Sequence, residues 1–113
     1  MKRRREGRQP SAYVDMIGTR RRIEALRAIG WPTEIIAAEA LGWSRALRDL
    51  PRGPLVLRTT ADKIRAFYDT HSMTLGPSTR TRAHAARAGW APPLAWDDDE
   101  IDDPQAQPHG VAA

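Results

Sequence analysis

Residues 33–50, TEIIAAEALGWSRALRDL, constrain the fold more than any other stretch of the chain. Apolar residues recur at helical spacing up to Leu41, and Gly42 offers the positive φ that turns a chain sharply. Ser44 is the residue type that opens a following helix by accepting a backbone N–H bond, as Thr33 does for the preceding one. Ala38, four residues before Gly42, is small enough to let two helices cross closely. The pattern predicts a helix-turn-helix, with helices over 33–41 and 44–50.

The second helix of such a pair is the one that enters the DNA major groove, so its faces matter. An aliphatic residue is usual six positions after the turn glycine, but Arg48 stands there, which rotates the register. With Trp43, Ala46, Leu47 and Leu50 toward the core, a 100° periodicity places Arg45, Arg48, Asp49 and Arg52 on the opposite face, with Ser44 at its leading edge. Arg45 and Arg48 are then the candidates for guanine O6 and N7, and Ser44 and Asp49 for shorter contacts. Thr33, Arg52 and Arg58 are assigned to the phosphate backbone.

Charge supports a polyanionic partner. The 113 residues carry eighteen Lys plus Arg and fourteen Asp plus Glu, a net +4. Six of the acids (Asp97, Asp98, Asp99, Glu100, Asp102, Asp103) crowd one short segment. With those six set aside, eight acids face eighteen cations on residues 1–96, a balance of +10. Such a body attracts double-stranded DNA, and no long apolar run suggests a membrane. Cysteine is absent, which excludes disulfides and thiolate metal sites. His71, His84 and His109 are scattered, with none of the spacing of a metal-binding motif, and His71 falls on an apolar stripe. Acids in an unburied run lack the opposed environments of an acid/base pair, so neither enzyme activity nor a metal or cofactor is expected.

The remaining segments set an all-α expectation of about five helices. Residues 1–18 read as a flexible basic arm whose Arg3, Arg4 and Arg5 could enter a minor groove, with Tyr13, Val14 and Ile17 docking on the body. Residues 19–89 read as the helical domain. In it Thr19 caps a first helix ended by Gly30, and Arg20, Arg21 and Arg22 serve as backbone contacts or a solvated face. Leu55-Val56-Leu57 is an extended segment or a packed connection. Thr60 opens a fourth helix with Ile64, Phe67, Tyr68 and His71 on one stripe. Ser78 caps a fifth that Gly89 ends, leaving Arg80, Arg82 and Arg87 for solvent or phosphate. Residues 90–113 read as an extended Pro/Trp segment, with Trp90 and Trp96 as packing anchors, followed by an acidic tail that competes with phosphates for the basic body.

GTRRRIEALRAIGW (18–31), TADKIRAFYDTHSMTLGPSTRTR (60–82) and AGWAPPLAWDDDEIDDP (88–104) resemble a family of small helix-turn-helix proteins of actinobacteria and their phages. The resemblance spans roughly residues 18–104 and implies a DNA-binding fold ending in a WAPPLAWDD-type segment. It supplies no operator, ligand or activity.

The sequence therefore predicts a sequence-specific DNA-binding protein, cytoplasmic and nucleoid-associated. It would act as a homodimer that regulates transcription, or represses it, by occupying an operator. Two other classes stay open. One is a phage packaging factor like a terminase small subunit, which a ring in solution would mark. The other is an adaptor with residues 92–103 as a docking peptide for a protein partner, which a pull-down through the tail would mark.

Overall fold

The computed structural model describes residues 12–48 and 53–110. The elements run β1 (Tyr13–Asp15), α1 (Ile17–Ala28), α2 (Thr33–Leu41), β2 (Leu55–Leu57), α3 (Arg58–His71), α4 (Thr79–Ala88) and a 3-10 turn at Pro93–Ala95. The chain is mostly helical, with four α-helices among the described residues and a small two-stranded sheet. No helix among them is long and apolar enough to cross a membrane.

The helices α1 and α3 form the centre. Both pack on each other, α2 lies against α3, and α4 lies against α1. Their inner faces enclose Ala25, Leu26, Ile36, Ile64, Phe67, Tyr68 and Ile101, with Ile23, Trp31, Leu41, Leu47 and Trp96 packed around them. The stripe read for α3 is the one it buries, since Ile64, Phe67 and Tyr68 are its buried residues. His71 continues the stripe. Its ring stacks on Phe67 at 4.0 Å between centroids, and the edge of Trp31 meets both rings.

The α1–α2 turn explains how four short helices share one core. Gly30 takes φ 104°, so that its N–H reaches the Arg27 carbonyl while the Trp31 N–H returns to Leu26. This pair of bonds closes a helix end with a left-handed residue, and it brings Trp31 back over Leu26. The Trp31 indole then donates to the Thr74 carbonyl at 2.9 Å. The same turn is laced to the α3–α4 connection, where the Gly76 N–H binds the Ile29 carbonyl and the Ser78 N–H binds Gly30. Two backbones cross here with no room between them.

Several expectations are corrected. Residues 13–15 are a strand paired antiparallel with β2, Val14 opposite Val56, so the chain is not purely helical and Leu55-Val56-Leu57 is the extended segment. Only β2's central Val56 is buried, which gives the alternation of a half-buried strand. The first helix begins at Ile17 rather than after Thr19, because Asp15 Oδ1 accepts the Ile17 N–H and Thr19 is buried inside the helix. Pro32 rather than Thr33 precedes α2 in extended conformation, and no side chain caps it. Ala37, not Ala38, is α2's buried small residue. Likewise α3 starts at Arg58, ahead of Thr60.

The largest correction concerns residues 43–48. Gly42 does turn left-handed, at φ 85°, but residues 43–48 form no α-helix. Separate turns form instead, with bonds from the Ala46 N–H to Trp43 and from the Arg48 N–H to Arg45. Trp43 is exposed, whereas Leu47 does reach the core. The physical reason is length. Between Gly42 and Pro51, which disfavours helical backbone at the residue before it, fewer than two and a half turns are available to offset the cost of nucleation.

The glycine crossing carries a test. A Cβ on Gly76 would lie 2.4 Å from Gly30 backbone atoms, while one on Gly53 would meet nothing within 4 Å. Gly76→Ala should therefore cost about 1 to 3 kcal/mol in urea unfolding, with Gly53→Ala within about 0.5 kcal/mol of the parent. Equal stabilities would contradict the crossing.

Candidate nucleic-acid interface

The C-terminal segment is not an extended acidic tail. Pro93 supplies the first position of the 3-10 turn, Ala95 is buried, and the chain then folds back along α1 through successive turns. Ile101 is inserted into the core with only 1% of its surface exposed. On either side of it the arginines of α1 take hold. Arg22, its side chain 7% exposed, makes a two-pronged pair with Asp102, at 2.7 Å to Oδ1 and 2.9 Å to Oδ2. Arg65 of α3 adds a third bond to Oδ2 at 3.1 Å. Arg21 lies over the Trp96 ring and donates to the carbonyls of Ile101, Asp103 and Ala106. Gly18 is what permits the approach, because a Cβ there would coincide with the Asp102 carboxylate. Trp96 and Trp90 both act as packing anchors, Trp90 by receiving the Arg27 guanidinium at 4.9 Å and the edge of His84.

These contacts shift ionisation in ways that follow from their geometry. The Arg22 hydrogen bond holds Asp102 below the usual carboxylate range. At the segment's end, the hydrogen bond to Asp97, at 2.8 Å, raises the His109 imidazole above its ordinary value. With Asp97 ionised, this clip's contribution is therefore present below the ordinary imidazole value and is lost as pH rises through the raised one. Burial, with Asp98 nearby, pushes the Tyr68 hydroxyl up to about 12.

With Arg21, Arg22 and Arg65 engaged, the positive field moves elsewhere. Arg27, Arg80, Arg82 and Arg87 form no ion pair among the described residues. Three of these, with His84, converge on a cleft of 630 Å³ between α1, the start of α2 and the start of α4. The N-terminus of α4 opens into it, capped by the Ser78 hydroxyl, which accepts the Thr81 N–H at 3.0 Å. Its single acid is Glu34. Arg80 in the first turn of α4, Arg87 in its last and Arg27 in the last turn of α1 line the cleft along the length of α4, and their guanidinium charges, with the dipole at the α4 start, are suited to phosphate oxygens.

The residues singled out by sequence are spread over the molecule. Thr33 begins α2 beside this cleft, next to its lining residues Pro32 and Glu34. Ser44, Arg45 and Arg48 are exposed on the turns beyond the far end of α2. Arg58, the first residue of α3, lines a separate 230 Å³ cavity with Arg22, Arg65 and Asp102. Asp49, Arg52, Arg3, Arg4 and Arg5 lie outside the described residues. The role of Arg27 was not read from sequence, because its spacing within α1 says nothing of α4. Arg80 and Arg87 were legible as residues of a basic helix left for solvent or phosphate, and both line this cleft. No three His, Cys, Asp or Glu side chains among the described residues are grouped to hold a metal. No family model matches the chain, and no curated protein or solved structure is significantly similar to it.

Asp102→Asn should lower stability at neutral pH by about 1 to 2 kcal/mol. That is the low end for an ion pair with one buried partner, because the carboxylate is half-exposed and screened. A carboxylate with a depressed pKa stabilises above the ordinary range and loses that contribution as pH falls through the depressed value. The gap between parent and variant should therefore close in strong acid. Urea titrations across pH measure it, and a gap constant at every pH would contradict the assignment.

Proposed function

We propose that this chain is a sequence-specific DNA-binding protein that regulates transcription by occupying its site. The observation that carries the reading is the cleft where Arg27 of α1 and Arg80, His84 and Arg87 along α4 meet the start of α2 with one acid among them. Phosphates along one strand would follow this cleft, with Thr33 adding a contact at its edge. Arg45 and Arg48, exposed on the turns after Gly42, would extend toward base edges, in place of the recognition helix the sequence suggested. A homodimer would give paired half-sites, and the nucleoid would be its place of action.

The acidic segment enters this reading differently from a competing tail. Asp102 is tied to Arg22 of α1 and Arg65 of α3, and Asp97 to His109, so two of the six acids are already engaged within the fold, and none of the six lines the α4 cleft. The α4 cleft keeps its charge.

Fluorescence anisotropy on random and selected duplexes tests the assignment. Arg80→Ala and Arg87→Ala should each weaken binding to all duplexes and reduce the slope of log K against log salt by about 1. Arg45→Ala or Arg48→Ala should cost about 1 to 3 kcal/mol on the selected site and relax its preference. Unchanged binding in the Arg80→Ala/Arg87→Ala double variant would overturn the cleft as the interface.

A further inference from the structure

Away from the arginine cleft, the α3–α4 connection and the 3-10 turn leave apolar side chains in solvent. Met73 is 74% exposed, Leu75 69% and Leu94 78%. Together with Ile29 and Pro92 they border a groove of 140 Å³. Its far wall is shared with a second, wider recess of 470 Å³, since Ser72, Met73, Pro93 and Leu94 line both. That recess carries Asp69 of α3 and Asp97 and Asp98 of the C-terminal segment, with no basic residue in its lining. Asp97 is clipped by His109, but Asp69 and Asp98 form no ion pair among the described residues. Their fields are felt at Tyr68, the residue between them and the core.

Three such apolar side chains projecting together are unusual on a chain this basic, and scattered exposure does not account for their sharing one groove. We infer that this groove docks a partner polypeptide whose apolar residues are flanked by Lys or Arg. Apolar anchors would fill the space between Met73, Leu75 and Leu94, and the flanking cations would meet Asp69 and Asp98. Charge decides against the other occupants. An isologous pairing of two copies through this recess would bring its acids to a face whose lining holds no basic residue, which leaves them without a counter-charge. The chain's own basic stretch at residues 2–5, Lys-Arg-Arg-Arg, carries the charge but no apolar side chain for the groove. The groove shares no lining residue with the proposed DNA cleft.

Amide-shift titrations of the full chain test this with three synthetic peptides of about four helical turns, one of Leu and Lys, one of Leu and Glu, and one of Lys and Ser. The Leu/Lys peptide should shift Ser72, Met73, Leu75 and Leu94 and bind most tightly. Leu94→Ser, and separately Asp69→Lys with Asp98→Lys, should each weaken it about tenfold or more, the effect of losing one well-made anchor or charge contact. These side chains lie outside the core, and unchanged melting temperatures would establish that the variants fold. Shifts confined to other residues, equal binding of the Leu/Glu or Lys/Ser peptide, or no binding of the Leu/Lys peptide would overturn the inference. A dimer in sedimentation equilibrium that Leu94→Ser dissociates would assign the face to a second copy instead. DNA binding by the same variants reads out the other proposal independently.

Discussion

A guanidinium removed from water inside a helix must find a counter-charge, and the Arg22–Asp102 pair is where this fold meets that demand. The partner comes from 80 residues away and arrives with Ile101 beside it, so that one segment balances the charge of the buried cation through both its terminal nitrogens and completes the apolar core. Everything along that side of α1 is adapted to it. Gly18 has no side chain to obstruct the carboxylate, Arg21 satisfies three carbonyls of the returning chain, and Arg65 shares the same oxygen from α3. Without the strap, Leu26, Ile64 and Tyr68 would lose their cover in the core cluster.

The same contact sorts the charges of the molecule. A basic chain with an acidic end could have been a body attracting its own tail at random. Instead Asp102 is fixed against α1 and α3 and Asp97 is clipped to His109, while α4 and Arg27 carry their cations around a separate cleft. The result is a polarised surface: an arginine-lined cleft at the starts of α2 and α4, and an acid-rimmed apolar groove where the 3-10 turn meets the α3–α4 connection. The first suits phosphate, the second a basic, apolar segment of polypeptide.

What could be read from sequence was local. The Ser78 cap, the turns at Gly30 and Gly42 and the Ile64–Phe67–Tyr68 stripe are each set by neighbours within a few residues, and each is found in the fold. The helix expected after Ser44 failed because capping and amphipathicity were weighed without length, and a segment confined by Gly42 and Pro51 cannot propagate. The β1–β2 ribbon was only half legible, since three residues of alternation are too few to signal a strand and the pairing spans more than forty positions. Least legible was the acidic segment. Its composition is that of a solvated terminus, and only the fold reveals that Ile101 is buried in the core and that Asp102 pairs with the buried Arg22, while Asp98 and Glu100 stay exposed. The cleft of Arg27, Arg80 and Arg87 was half visible, because α4 alone showed its arginines but the α1–α4 packing that adds Arg27 is non-local.

The central claim is that the acidic segment is a structural strap and not a mobile competitor for the basic surface. Thermal unfolding of the chain truncated after Trp96, followed by DNA binding of whatever remains folded, tests it most directly. Loss of Ile101 and of the Asp102 partner should remove about 3 kcal/mol or more and lower the melting temperature by roughly 10 °C or more. An unchanged melting temperature together with tighter binding to random DNA would contradict the account, because it would describe a tail that shields the basic surface without holding the fold together.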